Sequence, residues 1–199
     1  MGAVRLAVIF YSTYGTNHRM AEIAAQAARD AHAEVRLRRV HETAPDSVVD
    51  AQAAWRKQLD IMQHIAEVTP DDMEWANAYL FSCPTRFGVS ASQLRAFIDT
   101  LGPLWKKGAL ADKAVTAMTS ASTTHGGQES TLLGLYTTMM HWGAIIVPPG
   151  YTDPLLFESG GNPYGTSVTA GENAITDQIE AAIKFQAHRL VRFAGRVSN

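Results

Sequence analysis

The sequence is poor in cysteine, in charge of either sign and in long apolar runs. Cys83 is the only cysteine among 199 residues, so there is no second thiol for an internal disulfide or a cysteine-based metal cage. Seventeen Lys and Arg against 19 Asp and Glu give a net charge of −2, which supplies no basic field for a nucleic-acid backbone. No apolar run approaches the roughly 18 residues of a membrane-spanning helix. We expect an untargeted cytoplasmic protein with no metal, nucleic-acid or membrane partner.

The chain has the composition of an ordinary globular protein. It is 46% hydrophobic and 18% charged, which excludes global disorder. At roughly 150 residues per domain, its length favours a single domain over residues 1–199.

Apolar runs of strand length alternate with helical patterns along the chain. The strands are predicted at residues 6–11, 34–40, 78–82, 114–119 and 144–147. Long helices are predicted at residues 18–32, 90–100, 131–142 and 176–194, with one or two more between residues 42 and 72 and a short helix starting at Thr69-Pro70. Ser90-Ala91-Ser92-Gln93 reads as a capping box for the second of these. Such alternation predicts an α/β protein whose parallel sheet is covered by helices on both faces.

Ligands of such sheets bind beyond the carboxyl ends of the strands, so the loops there are the candidate sites. The first loop holds Ser12, Thr13, Tyr14, Gly15, Thr16 and Asn17. Backbone N–H groups at a helix start, with hydroxyl groups around them, can enclose a phosphate without any Lys or Arg. An ordinary N-cap turn has the same residue types and remains an alternative.

Two further loops are of the same kind. The second holds Pro84, Thr85, Arg86, Phe87 and Gly88, and is suited to a planar heterocycle or is simply a turn. The third holds Ser120, Ala121, Ser122, Thr123, Thr124, His125, Gly126 and Gly127, and either approaches a ligand closely or is a flexible connector.

These loops, in register with several other motifs, resemble the WrbA-type NAD(P)H:quinone oxidoreductases, which are FMN-binding proteins of the flavodoxin-like fold. The matching stretches are Tyr11-Ser12 with Tyr14-Gly15, Pro84-Thr85-Arg86-Phe87-Gly88, Gly126-Gly127-Gln128-Glu129, His141 with Gly143, Val147-Pro148 with Gly150-Tyr151, and Pro163-Tyr164-Gly165. The resemblance covers nearly all of the chain. The resemblance implies a three-layer αβα fold with a five-stranded parallel sheet in the order 2-1-3-4-5.

The resemblance also implies a role for each loop. Residues 12–17 would hold the FMN phosphate, residues 84–88 the isoalloxazine ring, and residues 121–126 the other edge of the flavin. His141 would lie near the flavin, where it could orient or protonate a quinone oxygen. Without the resemblance, His141 reads as a buried structural histidine. Substrates would contact Tyr14, Phe87 and Trp105, and Trp105 could come from a neighbouring subunit.

The implied activity is two-electron reduction of quinones by NADH or NADPH through FMN, in a ping-pong cycle and in a homotetramer built as a dimer of dimers. The alternative is an FMN electron carrier or regulatory binding module on the same scaffold. Cys83 and Arg86 are too close in sequence for the phosphatase pattern, so Cys83 is read as an inert small hydrophobic residue.

Overall fold

The computed structural model describes residues 3–171 and 173–197. The elements in chain order are β1 (Arg5–Phe10), α1 (Thr16–Asp30), β2 (Glu34–Arg39), α2 (Asp46–Asp50), α3 (Ala53–Met62), α4 (Pro70–Trp75), β3 (Ala78–Arg86), β4 (Val89–Ser90), α5 (Ser92–Asp99), α6 (Gly102–Lys106), β5 (Ala114–Ala121), α7 (Gln128–His141), β6 (Ile145–Ile146), α8 (Leu155–Glu158), β7 (Ser167–Thr169) and α9 (Asp177–Val197). The main path of the sheet is β2-β1-β3-β5-β6, and its strands are parallel. β4 pairs with β3 and lies off this path, so β5 and β6 correspond to strands 4 and 5 of the predicted order 2-1-3-4-5. The five-stranded flavodoxin-like order is therefore confirmed.

Strand β1 shows how the sequence produces three layers. Leu6, Val8 and Phe10 belong to one apolar cluster, while Ala7 and Ile9 belong to the other. Successive side chains of a strand point to opposite faces, so an unbroken apolar run serves two cores at once. Helices α1 and α9 cover the first face, and α4, α5 and α7 cover the second.

The fifth position of the sheet is interrupted. β6 pairs with the first residues of β5, and β7 pairs with the last three, both in parallel. Residues 147–166 leave the sheet between these two short strands and include α8. The Gly- and Pro-rich sequence of residues 148–171 has no periodicity that shows this return to the sheet.

Two predictions at the carboxyl ends of the strands were wrong. Residues 83–86, predicted as part of a turn, continue strand β3, because Cys83 and Pro84 still pair with β5. The capping box at Ser90 does not form, because Ser90 lies in β4 and pairs with Thr85, and α5 begins after Ala91 without a side-chain cap. The predicted start at Thr69-Pro70 is confirmed, with a capping box that joins Thr69 and Asp72.

Candidate functional site

The bend between β1 and α1 has the geometry of an anion site. Gly15 is the N-cap of α1 at φ +101°, a left-handed conformation that favours glycine, and its N–H donates to Ser12 Oγ at 3.1 Å. The N–H groups of Thr16, Asn17 and His18 open the helix and have no carbonyl one turn back. These amides and the positive end of the helix dipole favour a negatively charged group.

The Asn17 side chain forms hydrogen bonds within the protein, whereas the sequence predicts it among the residues that hold the phosphate. Its buried amide donates to Ser82 Oγ at 3.1 Å and accepts from Ser120 Oγ at 2.6 Å. Ser82 Oγ in turn donates to the Asn17 carbonyl at 3.0 Å. The side chain therefore ties the bend to β3 and β5, and only the backbone N–H of Asn17 remains for a ligand.

A narrow cleft lies between this bend and the ends of β3 and β5. It is lined by Ser12, Thr13, Tyr14, Thr16, Asn17, Pro84, Thr85, Arg86, Ser120, Ala121, Ser122 and Ala170. Arg86 is its only cationic side chain, and the guanidinium donates to Thr13 Oγ1 at 2.6 Å and to the Thr85 carbonyl at 3.3 Å. Within residues 3–171 and 173–197 no ion pair to Arg86 forms. Its charge faces a cleft whose other polar groups are neutral.

The tip of the β3–β4 hairpin is strained and exposed. Phe87 at φ +51° and Gly88 at φ +83° form a two-residue turn with positive φ at both positions, which a bulky side chain rarely adopts. The Phe87 side chain is fully exposed. Nearby, a Cβ built on Gly127 would lie 2.7 Å from Gly88 Cα, so this approach of α7 to the hairpin requires glycine. An exposed aromatic ring on a strained backbone is a candidate contact for a planar ligand or another subunit.

The third loop contributes fewer residues to the cleft than the sequence predicts. Ala121 is the last residue of β5, and only Ala121 and Ser122 of residues 121–126 line the cleft. Thr123, Thr124 and His125 are exposed. Gly126 packs against the start of this loop, where an added Cβ would lie 2.8 Å from Ala121 Cβ. Sequence reasoning missed Ala170, which follows β7 and lines the same cleft.

Trp105 and His141 lie together, far from the cleft within one chain. Trp105 Nε1 donates to the His141 carbonyl at 3.1 Å, and both residues are exposed. His141 ends helix α7, whose start is at the carboxyl edge of the sheet, so it lies about 20 Å away at 1.5 Å per residue. The reading of His141 as a buried histidine is wrong. A role beside the cleft requires a second copy of the chain.

A wider cleft of about 700 Å³ adjoins the first and shares Thr13, Tyr14 and Arg86 with it. Its other lining residues are Tyr11, Gln52, Trp55, Phe87, Val89, Ser90, Ser92, Gln93 and Arg95. The volume is in the range of small-molecule sites. Tyr11 ends the first predicted strand and belongs to the matching stretch Tyr11-Ser12, but neither Tyr11 nor Trp55 was among the predicted site residues.

Cys83 has no nucleophilic character in this structure. It is fully buried, and this burial raises the pKa of the thiol to about 12. In the described part of the chain, no group of three or more His, Cys, Asp or Glu side chains could hold a metal ion. Nor does any helix within residues 3–171 and 173–197 have the length and apolarity to cross a membrane.

Comparison with known proteins agrees with the fold and with the loop motifs. The model of the NADPH-dependent FMN reductase family matches residues 4–152. An NAD(P)H dehydrogenase (quinone) of Deinococcus radiodurans is 54% identical over 194 residues, which cover 98% of this chain and 97% of the relative. A protein of the same name from Geotalea daltonii is 39% identical over 199 residues, covering 96% and 97%.

Solved structures show the same architecture. The flavodoxin, WrbA-like protein from Agrobacterium tumefaciens superposes with a TM-score of 0.70 over 98% of this chain and 99% of that chain. The two sequences are 19% identical, so this likeness shows the fold alone.

Proposed function

Because the chain belongs to the NADPH-dependent FMN reductase family, we propose that it is an FMN-dependent NAD(P)H:quinone oxidoreductase. The observation that carries the proposal is the cleft of neutral donors with the single guanidinium of Arg86 at the carboxyl edge of the sheet. This is where open parallel sheets bind their ligands.

The residues of the cleft fit FMN. A phosphate ester would be held by the first amides of α1 and by the hydroxyl groups of Ser12 and Thr16, in a bend that Gly15 allows to close, while the Thr13 hydroxyl holds Arg86 beside it. The flavin ring would lie against Pro84, Thr85 and Arg86 on one side and Ala121 and Ser122 on the other. Thr123, Thr124, His125 and Gly126 would contact it only through movement of the loop.

A bound FMN would supply the chemistry that links hydride transfer from NADH or NADPH to two-electron reduction of a quinone. The chain holds the ring in one orientation and supplies charge beside it. The Arg86 guanidinium, kept in the cleft by Thr13, stabilises negative charge that develops on the ligand. Tyr14 and Phe87, both exposed at the rim, form an aromatic wall that nicotinamide and quinone contact in turn, in a ping-pong order.

A second protomer completes this site. The exposed pair of Trp105 and His141 covers the rim of a neighbouring cleft, where His141 orients or protonates a quinone oxygen. Because each chain then presents a cleft at one edge and this pair at the other, we expect a closed homo-oligomer, a tetramer built as a dimer of dimers. We place the protein in the cytoplasm, in keeping with its single buried thiol.

Purified apoprotein tests the proposal directly. It should take up one FMN per chain, turn yellow, and then oxidise NADH or NADPH in the presence of benzoquinone. A flavin-saturated sample without turnover would contradict the enzymatic function. A stable one-electron form during reductive titration would instead favour the electron carrier.

A further inference from the structure

The Glu42 carboxylate, in the segment after β2, is a junction between separate elements of the fold. It accepts four hydrogen bonds, from Tyr11 Oη at 2.8 Å, Gln93 Nε2 at 2.8 Å, Ala44 N at 2.9 Å and Trp55 Nε1 at 3.1 Å. Two of these donors bond to each carboxylate oxygen, and an ionised carboxylate accepts hydrogen bonds without donating any. Glu42 therefore joins the end of β1 to helices α3 and α5 beside the wider cleft.

A chain of hydrogen bonds leads from this junction to Arg86. Arg86 Nη2 donates to Thr13 Oγ1 at 2.6 Å, Thr13 Oγ1 donates to Tyr11 Oη at 3.4 Å, and Tyr11 Oη donates to Glu42 Oε2 at 2.8 Å. We refer to Arg86, Thr13, Tyr11 and Glu42 as the relay. It runs from Arg86 through the bend after β1 to the junction. Thr13 and Arg86 line both clefts, Tyr11 lines the wider cleft alone, and Glu42 lines neither.

The two ends of the relay fix the direction of every bond in it. A guanidinium only donates, so Thr13 must accept at one side and has its own proton for Tyr11. Glu42 only accepts, so the Tyr11 phenol must donate to it. Burial, with the nearby Glu42 charge, raises the pKa of Tyr11, so the phenol keeps the proton that the relay needs. If a neutral side chain such as glutamine replaced Glu42, it could both donate and accept, and the direction of the hydrogen bonds in the relay would no longer be determined.

We propose that Glu42 is a positioning residue, which acts through Tyr11 and Thr13 to hold the Arg86 guanidinium at the FMN cleft. Arg86 has no ion-pair partner in the described part of the chain, so its orientation depends on Thr13 and on the Thr85 carbonyl. A long, half-buried arginine that is held in one geometry loses less side-chain entropy when a ligand binds. The role rests on the proposed function, because it concerns the residues that would face FMN.

The test is a double-mutant cycle between the two ends of the relay. The dissociation constant of FMN is measured by quenching of its fluorescence on titration with apoprotein, so no turnover is needed. Glu42→Gln and Tyr11→Phe should each raise this constant about tenfold, as the loss of one charge-assisted bond does. In an Arg86→Ala background, Glu42→Gln should change the constant less than about twofold, because the group that it positions is gone.

Glu67→Gln is the matched control. It removes the same charge from a carboxylate that bonds Arg39 and His41 and lies outside both clefts. We expect it to leave the dissociation constant of FMN unchanged. If it weakens FMN as Glu42→Gln does, net charge explains the effect and the positioning role is wrong.

The remaining outcomes are equally decisive. An equal loss from Glu42→Gln with and without Arg86 would show that Glu42 acts on the fold in general, and would overturn the proposal. So would a Tyr11→Phe variant that binds FMN as tightly as the wild type. If wild-type apoprotein takes up no FMN at all, the proposed function itself has failed, and the variants are not needed to see it.

Discussion

The two edges of the sheet differ in how their polar and aromatic groups are used. At the carboxyl edge, helix amides, hydroxyl groups and the Arg86 guanidinium face an open cleft. At the amino edge, polar groups are paired within the chain, as in the bonds of Arg5 N to Asn77 Oδ1 and of Lys113 Nζ to the Met73 carbonyl, while the Trp105 side chain is exposed. One edge has the form of a ligand site, and the other combines paired polar groups with a surface for another molecule.

Mixing of variants tests this division most strongly. Arg86→Ala damages the carboxyl edge and Trp105→Ala the amino edge, and we expect each to lower quinone reduction by about 100-fold. If the carboxyl edge of one subunit meets the amino edge of another, some sites of a mixed oligomer combine an intact Arg86 with an intact Trp105. Dissociating the two variants and reassembling them together should then restore about a quarter of wild-type activity.

Variants that are mixed without prior dissociation are the control and should stay inactive. If reassembled mixtures also stay inactive while each variant still forms oligomers, Trp105 does not complete a neighbouring cleft. The proposed meeting of the two edges would then be wrong.

Two glycines with positive φ, one at each edge, sharpen the comparison. Gly15 at φ +101° has Gln58 Oε1 2.8 Å from the position of a Cβ, whereas Gly108 at φ +71° has open space around it. Alanine at either position should cost about 1 kcal/mol of folding free energy through backbone strain. Only Gly15→Ala should also weaken FMN binding, by about tenfold or more, measured by titration of apoprotein. Comparable weakening in Gly108→Ala would contradict a flavin site confined to the carboxyl edge.

Asp72 is expected to matter for stability and not for the ligand. The side chain is buried, and although burial raises its pKa, hydrogen bonds from Arg38, the Thr69 backbone and Arg36 outweigh this and lower it. A lowered pKa in the folded state means that its stabilisation is present above the unfolded pKa and is lost as pH falls through the folded one.

Asp72→Asn should therefore lower the free energy of unfolding at pH 7 by about 3 kcal/mol and flatten its decline below about pH 4, measured by urea unfolding. Asp71→Asn, an exposed neighbour on the same helix, is the control and should change little. A wild-type acid dependence in Asp72→Asn would mean that other carboxylates govern this transition. FMN affinity should be unaffected by either change.

The smallest effect is expected at Cys83, which lies under the carboxyl edge but faces the core. Because its thiol is buried and has a pKa of about 12, iodoacetamide should not modify the native protein at pH 8 within hours. Mass spectrometry of native and urea-unfolded samples measures this. Rapid labelling of the native protein would show that the core beneath the cleft opens readily.

The sequence predicted the central architecture because that information is local. The run of residues 6–11 is apolar throughout, so both faces of the strand are apolar, as is typical of a parallel strand that helices cover on both sides. The alternation of polar and apolar residues in β2 correctly predicted a strand at the edge of the sheet. The interrupted fifth strand could not be predicted in the same way. β7 has three residues, and its place in the sheet is decided by pairing with β5 and not by any pattern of its own.

The candidate site was predicted only in part, for a similar reason. The bend at Gly15 carries its own signal in Ser, Thr and Gly before a helix, and it lies at the cleft as expected. Asn17 has the right residue type, but its bonds to Ser82 and Ser120 come from strands distant in sequence. Glu42 gave no signal at all, since its partners are assembled only by the fold.

The most direct measurement compares the affinity of the apoprotein for FMN and for riboflavin, which lacks the phosphate. If the amides and hydroxyl groups of the bend after β1 grip the phosphate, calorimetry should show one FMN per chain, with riboflavin bound at least about 100-fold more weakly. Equal affinity for the two flavins, or no heat with either, would contradict the account.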